Sequence, residues 1–226
     1  MIMKKIFCEG ISDQIFIADF IEYHFDIIFR REEITKNKKI RIYSKDVEIV
    51  SIDGCSKIHT ELYKQQLIEN TETGGLNVIV FDADYKDMSN GNNGYESCCQ
   101  KLDNLKEEIS FEYFLWPDNE NDGYLEDVQK TMIPNMKKPI LDCMDNHFSC
   151  LDSLRNEHKI KEFGDKDIIL IYLHYCQKEN KPSAVRYNDE EFWNLCAEEN
   201  EPLKRFKKFL IEKLNLNELT TYCSGV

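Results

Sequence analysis

Asp82 and Asp84 close the apolar run NVIVFDAD at residues 77–84, two carboxylates one residue apart at the end of a segment that reads as a buried strand. A buried carboxylate without a partner is costly, so such an ending implies a use for the charge. Two other segments carry acids in comparable places. KKIFCE at 4–9 runs into Glu9-Gly10, and GYLED at 123–127 holds Glu126 and Asp127. Clustered carboxylates repel one another unless a cation lies among them. A set of oxygen ligands suits Mg²⁺ or Mn²⁺ better than zinc. Gly10 lets the backbone turn tightly, which leaves room for a phosphate or a metal beside Glu9. Carboxylate-held divalent ions of this kind serve in-line displacement at phosphorus.

Two further groupings could bear chemistry. Cys143, His147 and Cys150 fall on one face of a helix, and His174 and Cys176 could join them. The paired spacing of zinc sites is missing, and thiols of this sort are commonly core residues. In PLKRFKKFLIEKL, residues 202–214, Leu203, Phe206, Phe209, Leu210 and Leu214 form an apolar stripe. Lys204, Arg205, Lys207 and Lys208 are read on the other face. This is the densest basic patch in the chain and the candidate to touch phosphates or an acidic partner, with Lys204 and Lys207 as the substrate-binding lysines.

Composition bounds these readings. The chain has 226 residues, 42% of them hydrophobic and 12% aromatic, enough for a substantial core. Net charge is −13, from 42 acids against 29 bases, which disfavours nonspecific nucleic-acid binding through a basic surface. Metal-dependent chemistry stays open, because a bound cation reverses the local sign. No run of about 18 apolar residues is present to span a membrane, and the start MIMKKIFCEG lacks the apolar region of a secretion signal. Nine cysteines, an odd number with no C-x-x-C pair, fit a reducing cytoplasm with free, mostly buried thiols.

The elements that must position these residues alternate. Strands are expected at 4–9, 47–54, 77–84 and 110–117. Helices are expected at 14–29, behind Ser12 and Asp13 as caps, and at 57–70, 95–109 and 124–133. The polar stretch 33–45 reads as a loop or an edge hairpin, and MSNGNNG at 88–94 as a flexible loop. From Pro139 onward the pattern is helical, at roughly 140–156, 166–179, 189–199 and 202–214. Strands separated by helices imply an α/β fold with a mostly parallel four-stranded sheet covered on both faces. The expected organisation is a core over 1–138 and a helical C-terminal extension over 139–226, packed as one unit. In such sheets ligands bind beyond the carboxyl ends of the strands, where Glu9, Asp82 and Asp84 fall, and alternation puts Asp82 and Asp84 on one side of the chain.

FCEGISDQIFIADFI, VEIVSIDGCSKI and NVIVFDAD resemble, in order and spacing, the strand ending in Glu-Gly, the second strand with its glycine turn, and the Asp-x-Asp motif of a Toprim domain. The resemblance covers about residues 4–130. It is closest to small stand-alone prokaryotic Toprim-like proteins and to nucleases of the overcoming-lysogenization-defect type, with FLWPDNENDGYLEDV as a further matching stretch. It implies a Rossmann-like Toprim core and a Mg²⁺- or Mn²⁺-dependent nuclease acting on DNA or RNA. It also implies a place in an anti-phage defence module, with a partner ATPase or other defence protein. Carried over by position, Glu9 is general acid/base or metal ligand, Asp82 and Asp84 are metal ligands, and Glu126 is a further acid of the nuclease branch. Lys166, in GDKDIILIYLHYC, stands where that branch places a lysine at the start of a later helix. The stretch departs from the family in following Asp-x-Asp with YKDMSNG, so that glycine comes late. No zinc ribbon marks a primase, and no tyrosine stands out as a topoisomerase nucleophile.

Other readings compete. One is a non-catalytic metal- or nucleotide-binding subunit on the same fold, favoured by the acidic surface. Another is a nucleotide-sugar transferase, whose Asp-x-Asp holds Mn²⁺ and a diphosphate but leaves Glu9 and GYLED without roles. A haloacid-dehalogenase phosphatase fits less well, because Tyr85-Lys86 follow the aspartates.

Overall fold

Alternation along the strands decides which residues meet on each side of the sheet. Ile6, Cys8, Val78, Val80, Phe114 and Trp116 join one buried cluster, while Phe7, Ile79, Phe81 and Leu115 join another. The computed structural model describes residues 2–34, 39–87, 92–176 and 186–217. It shows an α/β fold built on a six-stranded mixed sheet. The strands are β1 (Lys4–Cys8), β2 (Arg30–Ile34), β3 (Lys39–Tyr43), β4 (Val47–Ser51), β5 (Leu76–Asp82) and β8 (Glu112–Trp116), ordered β2-β3-β4-β1-β5-β8. β4, β1, β5 and β8 pair in parallel, and β3 runs against both its neighbours. The four expected strands form the parallel block. Two more arise from the polar stretch near 33–45, whose edge-hairpin reading is the one the structure contains. Its alternation is weak because β2 lies at the sheet margin with little to bury.

Helix α1 (Ile11–His24) packs on the first side and is apolar nearly all round, as a helix enclosed by protein should be. It starts at Gly10 and ends five residues before the expected limit. On the second side lie the 3₁₀ turn Cys55–His59, α2 (Glu61–Glu72) and α3 (Gly94–Lys106). A two-residue ribbon, β6 (Lys86–Asp87) and β7 (Asn92–Asn93), leads into α3. The expected flexible loop at 88–94 falls largely at 88–91, outside the described residues.

The C-terminal part covers the α1 side through α4 (Leu125–Thr131), α5 (Lys138–His158), α6 (Asp165–Cys176) and α7 (Glu201–Leu214). Phe206 of α7 sits 4.6 Å from the ring of Trp116, 5.0 Å from Phe114 and 5.1 Å from Phe20. The extension therefore shares its core with the sheet. The helix expected at 189–199 is not there. Asp189 instead turns the chain, accepting the Phe192 and Trp193 amides on its carbonyl and the Glu191 amide on its side chain, and only Ala197–Glu199 is a 3₁₀ turn. Such local bonds by aspartate compete with helix.

Among the described residues no helix is long and apolar enough to cross a membrane. The cysteines are less uniform than expected. Cys8 is buried, Cys55, Cys143 and Cys150 are exposed, and Cys196 is disulfide-bonded.

Candidate active site

β1 and β5 are adjacent and parallel, so their carboxyl ends emerge side by side. Glu9 follows β1 and Asp82 ends β5, and the Asp82 amide donates to Glu9 Oε1 at 3.2 Å across 73 residues of chain. The first turn of α4 approaches the same point. The Leu125 amide donates to Asp82 Oδ1 at 2.9 Å, and the next residue is Glu126. α6 brings Lys166, whose Nζ stands 3.5 Å from Asp82 Oδ2 and 3.9 Å from Glu126 Oε2 and lies over the Tyr124 ring at 4.7 Å. Glu9, Asp82, Glu126 and Lys166, spread over 158 positions of sequence, thus meet at one edge of the sheet.

Asp13 was expected only as a cap. It does cap, accepting the Gly10 amide on Oδ2 at 3.0 Å, but its charge also acts on Glu9, Asp82 and Lys166. The signal for it was its spacing, four residues beyond Glu9 on the helix that leaves β1. Gly10 has an ordinary extended backbone, φ −133°, so it is not needed for a tight turn. A side chain there would bring a Cβ within 3.1 Å of Asp13 Oδ2, so the glycine makes space for the aspartate. Tyr187 lies within reach of the charges of Asp13 and Glu126, and burial, then these charges, raise its phenol. It is buried, and its hydroxyl accepts from Gln129 Nε2 at 3.0 Å. Nothing in its local sequence marks it.

Strand alternation does not extend to Asp84. β5 stops at Asp82, and Asp84 takes the left-handed backbone at φ +58°, a conformation that costs a non-glycine residue and recurs at functional sites. Its carbonyl receives the Gly123 amide at 3.2 Å. Gly123, at φ +147°, would be strained by any side chain, whose Cβ would lie 2.6 Å from Asp127 Oδ2 and force it to move.

The charges are under-compensated. Burial, with the charge of Asp13, pushes Glu9 from its ordinary 4.5 up to about 7. Burial, then Asp13 and Glu9, raises Asp82 well above the carboxylate range. Asp13 and Glu126 are raised as well, chiefly by burial. Burial works against the Lys166 charge, but Asp82, Glu126 and Asp13 outweigh it and hold the ammonium above its usual value. Glu126 Oε2 is buried without a hydrogen bond. Among the described residues no three His, Cys, Asp or Glu side chains are grouped closely enough to hold an ion as they stand. Lys166 supplies the positive charge the acids face. The donor set fits a hard divalent cation all the same: carboxylate oxygens only, one of them orphaned, with raised proton affinity that an added positive charge would relieve.

The other candidates lie elsewhere. Cys143, His147 and Cys150 are on the exposed face of α5, and the side chain of Cys176 is outside the described residues. Lys207 does not face solvent. It is only 6% exposed, with Nζ 3.4 Å from Glu198, because the apolar stripe of α7 is wider than its spacing indicates. Lys204 is exposed, but its neighbours are neutralised, Arg205 by Glu120 and Glu201 and Lys208 by Glu212.

Residues 3–215 match the model of a family described as "Protein of unknown function (DUF3226)", and the chain belongs to that family. No curated protein and no solved structure matches it.

Proposed function

We propose that this protein is a Toprim-type, Mg²⁺- or Mn²⁺-dependent phosphodiester hydrolase acting on DNA or RNA in the cytoplasm, as part of an anti-phage defence module with a partner protein such as an ATPase. The observation that carries the reading is the convergence of Glu9, Asp82 and Glu126 with Lys166 beyond the carboxyl ends of two adjacent parallel strands. The cluster holds several carboxylates against one lysine. That is a poor arrangement for stability and a suitable one for binding a cation and a phosphate.

Asp82, Glu126 and Asp84 would hold the ion. When bound, it supplies neutralisation of the scissile phosphate and a lowered pKa for the attacking water. Glu9 is the proton acceptor in this reading, and its pKa of about 7 lies close to working pH, where a general base is most effective. Lys166 is half-exposed, and in this reading its ammonium turns from Asp82 to a phosphate oxygen. Its charge then stabilises the negative charge that grows in the transition state. Asp13 and Gly10 orient the turn that presents Glu9.

The test is cleavage of plasmid, single-stranded DNA and RNA with Mn²⁺, with and without proteins encoded beside it. Wild-type protein is expected to cut at least one substrate, and Glu9→Gln to lose about 10²–10⁴-fold in rate with its fold intact. Full activity in Glu9→Gln would overturn the assignment. A wild type inert in every combination would favour a binding subunit on the same fold, the reading that the net charge of −13 supports.

A further inference from the structure

A cavity of about 230 Å³ opens beside the carboxylates, on the second side of the sheet. Ile58, Phe81, Leu102 and Leu115 form its interior, all nearly inaccessible and all part of the core beneath α2 and α3. Asp82 and Asp84 also line it, and the charges of Glu9 and Asp84 act on Cys55 and Cys98 in its wall, which sets it beside the proposed site. His59 and Lys101 stand at its exposed rim. A pocket for a whole small ligand is roughly 300–1,000 Å³, so this one accommodates part of a molecule whose remainder lies outside.

The lining defines that part. An apolar interior rejects a charged or hydroxyl-rich group, because its water would be lost without replacement. The polar lining residues are Ser56, His59 and Lys101, all exposed, the two aspartates, and the thiols of Cys55 and Cys98. The matching occupant is a largely apolar group with polar edges, joined to something that belongs among carboxylates and a divalent ion. We infer that the cavity seats one nucleobase of the substrate, next to the phosphate to be cleaved. The inference rests on the phosphodiesterase reading and names how that site grips its substrate. It also answers how so acidic a protein holds nucleic acid. With the cations of α7 largely paired, affinity comes from burying a base instead of tracking the backbone with positive charge.

The probes are AMP, UMP and ribose 5-phosphate, titrated with Mn²⁺ present by calorimetry or ligand-observed NMR. Both nucleotides are expected to bind the wild type roughly 5- to 150-fold more tightly than the sugar phosphate, the range one seated base supplies. Cys98 is half-buried in the cavity wall, its thiol donating to the Ala83 carbonyl at 3.3 Å. Cys98→Phe fills the space, and should erase the base preference while leaving ribose 5-phosphate binding unchanged. If Cys98→Phe fails to fold, Ser56→Trp at the exposed rim is judged by the same criterion. Equal binding of nucleotide and sugar phosphate, no binding of either nucleotide, or a preference that survives in the folded filled variant overturns the inference. Cleavage without base preference would leave the hydrolase standing and remove the pocket's role. Base preference without cleavage in any assay would do the reverse.

Discussion

Helix α1 carries two aspartates six positions apart, the half-buried Asp13 and the buried Asp19, and burial raises both to about 6, but the structure gives them different partners. Asp19 is fully enclosed and richly satisfied. Arg31 Nη2 donates to it at 2.7 Å, the Tyr187 amide at 2.7 Å and Arg186 Nη1 at 3.3 Å. Arg31 also reaches Glu22 at 2.8 Å. Asp13 instead receives the Gly10 amide and faces Glu9, Asp82 and Glu126, with Lys166 as the lysine they share. The first cluster spends its charge on holding the C-terminal segment to α1 and the edge hairpin. The second leaves charge uncompensated at the sheet edge, which is where function is to be sought.

Substitutions should separate the two clusters, with the largest effect at Asp19. Asp19→Ala leaves Arg31 with Glu22 alone and the buried Tyr187 amide without its acceptor, and is expected to cost about 3–5 kcal/mol, as broken buried ion pairs do. Urea denaturation measures it, and a loss below about 1 kcal/mol would show that Glu22 suffices for Arg31. At the other cluster, Asp82→Asn keeps the acceptor for the Leu125 amide but removes repulsion. It should be neutral or stabilising by roughly 0.5–2 kcal/mol in metal-free buffer, in the manner of relaxed functional sites. The same variant should lose most of the rise in melting temperature that millimolar Mn²⁺ gives the wild type by mass action. Equal rises in both proteins would place the cation elsewhere.

pH sharpens the contrast more gently. The folded protein holds the Glu9 proton more tightly than the unfolded chain, with a pKa of about 7 against 4.5. Stability from this group is therefore complete below about pH 4.5 and is lost as pH rises through about 7. Melting temperature should fall across that window, less steeply in Glu9→Gln and less steeply with Mn²⁺ bound. An unchanged slope in Glu9→Gln would assign the dependence to other groups. The smallest effect belongs to Lys204→Glu. Since the adjoining cations are already paired with acids, substrate affinity should change by less than about threefold at 0.15 M salt, where exposed charges are well screened. A larger, salt-dependent loss would restore α7 as a phosphate-binding surface.

The sequence by itself determined the parallel block and the acids that end its strands. A run such as NVIVFD, short, rich in β-branched residues and bounded by turn formers, reads as a buried strand, and alternation along it assigns its side chains to the two covered faces. Glu9 and Asp82 were legible for the same reason, because charge at the end of an apolar run conflicts with burial, whereas Glu126, an ordinary acid in the first turn of a helix, took its role from the family resemblance. Lys166 was visible only through a family resemblance, since a lysine near a helix start is ordinary. Only the tertiary structure decided the rest. The bond from the Asp82 amide to Glu9, the approach of Lys166, the burial of Lys207 and the bond of the Tyr187 amide to Asp19 all join residues whose contacts carry no local period. Asp84 left the strand's alternation because a left-handed residue resets the direction of the chain, and no count of twos foretells that. The stretch 189–199 has helical spacing, but the side chain and carbonyl of Asp189 captured the amides a helix needs. Periodicity reports what is buried, whereas the partner of each polar group depends on which distant segment arrives beside it.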